Sequence, residues 1–171
     1  GIDVATCKRW LSILETSGII VLLQPYMSNA SKRIIKTPKL YFTDTGLCAY
    51  LCKWPTAEML KDCAMSGAFF ETYVVSEIFK SYYNNGMDPA HYLYYYRDID
   101  KKEVDILLVK NGFIYPVEIK KGIAPNKPTK NFNILEKYGM PVMRGMIIEN
   151  TDKVRAINDY AFAFPVSLVG I

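Results

Sequence analysis

Carboxylates on both sides of one Asn-Gly pair have the types and spacing needed to hold a hard divalent cation. Asp105 precedes the pair Asn111-Gly112, and Glu118 follows it. Asn-Gly between two apolar-rich runs predicts a β-hairpin, because both central residues of a type I′ turn need positive φ. The resulting register places Asp105 directly opposite Glu118. Like charges at such positions destabilise a strand pair unless solvent screens them or a cation such as Mg²⁺ lies between them.

The same register predicts how the two strands divide their side chains between the faces of the sheet. Glu103 is expected opposite Lys120, so an exposed polar face with a Glu103–Lys120 ion pair remains an alternative to a cation site. Alternation predicts an apolar face made of Val104, Ile106, Leu108, Val117 and Ile119, and a polar face made of Glu103, Asp105, Glu118 and Lys120.

A third carboxylate interrupts the apolar stripe of a predicted helix from about Gly67 to Tyr83. At helical spacing Glu71 falls in the middle of the stripe formed by Ala68, Val74, Val75 and Ile78. A carboxylate that faces the core is costly unless it is paired or bound to a metal. Glu71 therefore either completes a site or bonds to a nearby Arg, Tyr or backbone amide.

The first part of the chain predicts the end of a winged helix. A helix over about Ala5–Thr16 is followed by a strand over Ile19–Leu23, a basic loop over Ser28–Lys36 and a strand over Lys39–Phe42. Side chains on the exposed side of the helix and in the wing could contact DNA phosphates. The alternative is a solvated basic loop on a packing module. The candidate phosphate contacts are Lys8, Arg9, Lys32 and Arg33.

The elements that position the carboxylates follow one another in a defined order along the chain. A strand over Tyr92–Arg97 precedes the hairpin, a helix over about Thr129–Tyr138 follows it, and Arg144–Glu149 forms the next strand. With the helix that carries Glu71, the order is αβββαβ. This order and the residues Glu71, Asp105 and Glu118-x-Lys120 resemble the PD-(D/E)XK restriction-endonuclease-like fold. That fold is an α/β core with a mixed sheet.

A longer series of motifs runs through most of the chain. The motifs are Lys36-Thr37-Pro38-Lys39-Leu40-Tyr41-Phe42-x-Asp44-Thr45-Gly46-Leu47, Gly67-x-x-Phe70-Glu71, Tyr96-Arg97-Asp98, Glu103-Val104-Asp105 and Pro116-Val117-Glu118-Ile119-Lys120. This series resembles the C-terminal part of a bacterial and archaeal family of AAA-type ATPases. That part carries a domain of unknown function behind the ATPase.

These resemblances imply roles for individual residues. Asp105 and Glu118 would bind Mg²⁺ or Mn²⁺, Lys120 would be the catalytic lysine that orients or activates water, and Glu71 would complete the site. Val104 occupies the place of the proline that precedes the aspartate in the superfamily motif. The sequence is compatible with two functions: a metal-dependent nuclease that cuts DNA, and an inactive nuclease-fold adaptor that binds DNA or a protein partner for the ATPase.

Composition sets the outer limits of these interpretations. The 171 residues carry a net charge of +4 and suit one domain with an appendage, expected as 1–56 for the partial winged helix and connector and 57–171 for the nuclease-like domain. No apolar run is long enough for a membrane span. Four cysteines without a CxxC pair favour a cytoplasmic protein.

The ATPase itself is expected outside this chain. There is no Gly-x-x-x-x-Gly-Lys-Ser/Thr stretch, so these residues provide no P-loop for ATP. The start of the chain inside a winged helix, without an initiator Met, suggests a piece of a longer protein. Its expected partners are DNA and its own N-terminal ATPase, through which it could form oligomers.

Overall fold

The described part of the protein has a mixed α/β architecture with two sheets and several helices. The computed structural model describes residues 1–27, 35–123 and 128–170. Within these ranges no helix combines the length and the apolar character needed to cross a membrane.

The N-terminal part consists of one helix and a two-stranded antiparallel sheet. Helix α1 (Val4–Thr16) begins after Asp3, whose carboxylate accepts a hydrogen bond from the Thr6 amide at 2.8 Å. The two strands that the sequence predicted, β1 (Ile20–Leu23) and β2 (Lys39–Phe42), pair with each other. The expected basic wing includes Lys32 and Arg33, which lie outside the described residues.

Three helices connect this part to the main sheet. They are α2 (Thr45–Leu51), α3 (Ala57–Asp62) and α4 (Ser66–Asn84). Asp44 caps α2 by accepting from the amides of Gly46 and Leu47. Helix α4 has Met65 at its N-cap and no side-chain capping bond. The long α4 is the helix that carries Glu71.

The main sheet has six strands in the order β3-β4-β5-β6-β8-β7. The β3–β4, β4–β5 and β7–β8 pairs are antiparallel, whereas β5–β6 and β6–β8 are parallel, so the expected mixed sheet is confirmed. The helix expected before β6 is a 3-10 segment over Phe132–Tyr138. The strands are β3 (Leu93–Arg97), β4 (Glu103–Lys110), β5 (Phe113–Lys120), β6 (Gly145–Glu149), β7 (Arg155–Asn158) and β8 (Ala161–Pro165).

The hairpin turn between β4 and β5 is the one that its sequence predicted. Asn111 and Gly112 both have positive φ, at 53° and 79°. The ladder runs from the Lys110–Phe113 pair to Ile106–Val117 in the expected register. Within the described residues it stops there, so the backbone pairs Asp105–Glu118 and Glu103–Lys120 that an extended register predicts are not formed.

A β-bulge in β4 overturns part of the predicted face assignment. Tyr94 pairs with Leu107 but Tyr96 pairs with Val104, so β4 carries one more residue than β3 over this stretch. The extra residue reverses the alternation of side chains towards the start of β4. Val104 therefore packs with Tyr96 and Leu107, and not with Ile106 as predicted.

Two apolar cores lie on the two faces of the main sheet, because neighbouring residues of one strand enter different cores. The α4 core contains Val74 and Val75 of the helix together with Ile106, Val117, Ile119 and Ile148. The opposite core contains Tyr96, Val104, Leu107, Ile114, Phe132, Leu135 and Ile147. Helix α4 is thereby fixed against the strands that carry the charged residues.

Candidate hydrolytic site

Asp105 is held at the point where β4 and β5 part. Its Oδ2 accepts a hydrogen bond from the backbone amide of Ile119 at 2.8 Å. The side chain thus uses a backbone donor just beyond the last pair of the ladder, Ile106–Val117. This bond directs the carboxylate of Asp105 towards the end of β5, where Glu118 and Lys120 lie.

Lys120 joins the two carboxylates that the sequence singled out. Its Nζ lies 2.7 Å from Oε1 of Glu118 and 3.8 Å from Oδ2 of Asp105. Lys120 does not form the alternative ion pair with Glu103, which instead contacts Lys39 and has Arg97 Nε at 3.6 Å.

Glu71 reaches the same group of charges through a second lysine, Lys39 of β2. The Lys39 Nζ lies 3.0 Å from Oε1 of Glu71 and 3.9 Å from Oδ1 of Asp105, and it also pairs with Glu103. The hydroxyl of Tyr41 donates to the same Glu71 oxygen at 2.6 Å. The carboxylate in the apolar stripe of α4 is therefore paired, and one of its partners is a Tyr as the sequence interpretation allowed.

These contacts define an acidic cluster with Asp105 at its centre. Asp105 is linked to Glu118 through Lys120 and to Glu71 through Lys39. Among the described residues, no single amine pairs with both Glu71 and Glu118. The acidic cluster consists of Glu71, Glu103, Asp105 and Glu118.

The pKa values of the central carboxyls show that the negative charge is only partly compensated. Burial, with the charges of Glu118 and Glu71, raises the pKa of Asp105 to about 7, although Lys120 and Lys39 lower it. Burial also raises the pKa of Glu118, against the hydrogen bond from Lys120. A further positive charge beside Asp105 and Glu118 would favour the ionised forms of both carboxyls.

The two lysines are firmly protonated in this environment. Burial disfavours the charged amine of Lys39, but the charges of Glu71 and the hydrogen bond to Glu103 outweigh it and raise the pKa. For Lys120, burial is outweighed by the hydrogen bond to Glu118 and the charge of Asp105, and its pKa is also raised. Both amines act as fixed cations at neutral pH.

The fit of a metal ion rests on two carboxylates. No three Asp, Glu, His or Cys side chains are grouped closely enough to hold a metal ion in the described part of the chain. Glu118 Oε2 is, however, buried and has no hydrogen-bond partner among the described residues. Mg²⁺ is often held by one or two carboxylates and several waters. Asp105 and Glu118 fit that mode of binding.

The predicted DNA contacts are separate from the acidic cluster. Lys8 and Arg9 lie on α1 and both are exposed, as expected for phosphate contacts. The described hydrogen bonds and ion pairs do not connect either residue to the cluster. Lys32 and Arg33 lie outside the described residues, so the wing contacts stay predictions.

Two residues of the site were not identified from the sequence. Lys39 and Tyr41 lie two positions apart in β2 and both contact Glu71. The signal was present in the motif Lys39-Leu40-Tyr41, since alternate residues of a strand share a face. The sequence did not indicate that β2 docks against α4.

Comparison with protein families gives two matches along this chain. Residues 66–169, which include α4 and the whole main sheet, match the family model "Domain of unknown function (DUF4143)". The chain belongs to the DUF4143 family. DUF4143 is a domain often found at the C-terminus of AAA-ATPase-like proteins. Residues 1–58 match a second model, "Domain of unknown function (DUF8612)". Lys39 and Tyr41 thus come from the stretch that matches DUF8612, and the acidic cluster from DUF4143.

Two curated mycobacterial proteins are similar to this DUF4143 chain. They are the uncharacterized proteins Mb2031c of Mycobacterium bovis and Rv2008c of Mycobacterium tuberculosis. Each is 30% identical over 127 residues, which cover 73% of this chain and 27% of the relative. The chain therefore matches about a quarter of the length of these relatives.

Proposed function

We propose that the acidic cluster is a Mg²⁺- or Mn²⁺-dependent site for phosphodiester hydrolysis in DNA. The observation that carries the proposal is the position of Lys120, whose amine contacts both Asp105 and Glu118. A buried and a partly buried carboxylate, both with raised pKa, and an adjoining fixed cation suit a site in which a negatively charged group reacts.

In this proposal each residue of the site has a distinct role. Asp105 and Glu118 would hold the divalent ion through one carboxylate each. The ion would supply a bound water of lowered pKa and polarise the phosphodiester. Lys120 would orient the water and offset negative charge as it develops on the phosphate. Glu71, held by Tyr41, would complete the acidic side of the site.

The fold assignment belongs to the same proposal. The order α4, β3, β4, β5, a 3-10 segment and β6 is compatible with a PD-(D/E)XK nuclease-like core of type αβββαβ. The helix α1 with β1 and β2 is compatible with the remnant of a winged helix. Exposed Lys8 and Arg9 support contacts with DNA phosphates through this part.

We also propose that the chain serves an AAA-type ATPase as its C-terminal part. The occurrence of DUF4143 at the C-terminus of AAA-ATPase-like proteins supports this arrangement. The ATPase would supply nucleotide-dependent movement and any oligomeric state, while the acidic cluster would act on the DNA.

The experiment measures metal binding and strand cleavage separately. Calorimetric titration with Mn²⁺ is expected to show one site on the wild-type chain and none on Asp105→Asn. The matched control is Asp62→Asn, an exposed carboxylate at the end of α3. Plasmid nicking in Mg²⁺ is expected from the longer ATPase that carries the chain, and its loss in Asp105→Asn. The hydrolytic site would be contradicted if the wild-type protein does not bind Mn²⁺ even at millimolar concentration and leaves the plasmid intact.

One observation favours a second function, that of an inactive adaptor. Lys39 already places a cation between Glu71 and Asp105, where it compensates charge without a metal. An adaptor would retain the acidic cluster as a structural network and bind DNA or a protein partner for the ATPase. It would bind DNA without nicking it, and Asp105→Asn would leave DNA affinity unchanged.

A further inference from the structure

Lys39 lies within reach of three of the four carboxylates in the acidic cluster. It pairs with Glu71 at 3.0 Å and with Asp105 at 3.9 Å, and it also contacts Glu103. Its side chain is only 18% exposed, so water screens these charges weakly. The lysine comes from β2, in the stretch that matches DUF8612, and not from the domain that supplies the carboxylates.

We propose that Lys39 is a resident counter-ion that a divalent cation must displace from Asp105. Metal binding at the acidic cluster and seating of the Lys39 amine then oppose each other. The inference rests on the proposed function in one respect, the divalent ion, and it adds a residue of the N-terminal part as a regulator of the same site.

The two oxygens of Asp105 decide which amine has to move. Oδ2 accepts from the Ile119 amide and lies 3.8 Å from Lys120. Oδ1 lies 3.9 Å from Lys39. Because Oδ2 already has a backbone donor, Oδ1 is the oxygen that is open to a new cation. A doubly charged ion on Oδ1 would repel the Lys39 amine strongly at such short range.

Tyr41 allows Lys39 to move without releasing Glu71. Its hydroxyl donates to Glu71 Oε1 at 2.6 Å, the same oxygen that Lys39 contacts. After displacement of Lys39, Glu71 would keep this neutral hydrogen bond. Tyr41→Phe therefore separates the positioning of Glu71 from the competing charge, and it should change Mn²⁺ affinity much less than loss of Lys39 does.

The test compares Mn²⁺ affinity in charge-altering and charge-conserving variants of the chain. Lys39→Met is expected to bind Mn²⁺ roughly tenfold more tightly than the wild type, because the competing charge is gone. Lys39→Arg keeps the charge and should not gain affinity. The matched control is Lys36→Met, an exposed lysine three positions earlier. If Lys39→Met binds Mn²⁺ no more tightly than the wild type, the inference is wrong.

The outcomes separate this inference from the proposed function. Wild-type chain that binds no Mn²⁺, with Lys39→Met that does, contradicts the hydrolytic site but supports Lys39 as the resident counter-ion. Equal binding by both proteins supports the metal site and overturns the inference. Absence of binding in both contradicts the two together.

A second measurement uses the wild type, in case Lys39→Met does not fold. Reductive ¹³C-methylation gives every lysine amine an NMR signal, and the Lys39 signal is identified by its loss in Lys39→Arg. Addition of Mg²⁺ is expected to shift this signal towards that of exposed lysines such as Lys36. A Lys39 signal that stays in place while Mg²⁺ saturates the site would overturn the inference.

Discussion

The carboxylate of Asp105 accepts a hydrogen bond from the backbone amide of Ile119, at 2.8 Å across the gap between β4 and β5. The bond explains how a strand residue comes to face the end of the neighbouring strand. It also commits one oxygen of a buried acid to the sheet, and so ties the chemistry of the site to the stability of the hairpin. Its protonation should therefore be visible in unfolding experiments.

Asp105→Asn is expected to flatten the pH dependence of stability. The pKa of Asp105 is about 7 in the folded protein, against an ordinary value of 3.8. The folded state thus binds more protons than the unfolded state, and stability falls as pH rises from about 4 to about 7. Without metal, the variant should lose this fall, on the order of 1–3 kcal/mol. Urea unfolding at pH 4.5 and pH 8 in EDTA measures it.

Asp98→Asn is the matched control with the opposite sign. Burial disfavours ionisation of Asp98, but hydrogen bonds from the Lys102 amide and the Tyr96 hydroxyl outweigh it and lower the pKa. A lowered folded pKa stabilises the protein above the unfolded pKa, and this stability is lost as pH falls. The variant should be less stable than the wild type at pH 8 and converge with it in acid. Parallel pH profiles for the two variants would contradict both assignments.

How far the site could be predicted depends on how local each contact is. The turn at Asn111-Gly112 and the register of Ile106 with Val117 follow from neighbouring residues, and both are confirmed. The bulge was not predictable, because it arises from pairing of β4 with Tyr96 of β3 across an intervening loop. This single extra residue moved Val104 to the other core.

Long-range docking limited the prediction in the same way. The carboxylate of Glu71 was expected to need a partner, but its partner Lys39 lies on a strand of the other sheet. The sequence does not predict strand β7 (Arg155–Asn158), because this edge strand has no buried residue to give an alternating pattern and, among the described residues, pairs with β8 alone. In both cases the missing information was which elements meet.

Lys120→Met separates hydrolysis from metal binding. Removal of the amine that adjoins Asp105 and Glu118 should lower plasmid nicking about a hundredfold or more, as loss of a charge-stabilising donor does in other enzymes. Mn²⁺ affinity should be retained or improved, because a competing positive charge is lost. Lys121→Met is the control, since this neighbouring lysine is exposed and bonds to the Lys61 carbonyl. Equal nicking by the two variants would argue against a catalytic Lys120.

DNA binding by α1 is tested with a double variant, Lys8→Ala with Arg9→Ala. Each phosphate contact releases counterions. The magnitude of the slope of log affinity against log salt should therefore fall by about 0.9 for each contact that is lost. Fluorescence anisotropy with a labelled duplex at several salt concentrations measures this slope. Lys101→Ala with Lys102→Ala serves as the control, because these lysines are also adjacent and exposed. A slope that changes equally in both double variants would indicate only a general loss of positive charge.

Gly145→Ala tests the packing of β6 against the segment that follows the hairpin. A Cβ at Gly145 would clash with the Phe132 ring and lie 2.7 Å from the Pro116 carbonyl oxygen. The backbone on one side and a buried ring on the other leave little room to adjust, so the variant should lose about 2–4 kcal/mol of unfolding free energy. Gly67→Ala is the control, because a Cβ at that exposed position in α4 meets nothing within 4 Å. The control should keep or slightly raise stability, since alanine favours helix over glycine. Urea unfolding measures the unfolding free energy of both variants. A Gly145→Ala protein as stable as the wild type would mean that β6 does not pack on Phe132 in this way.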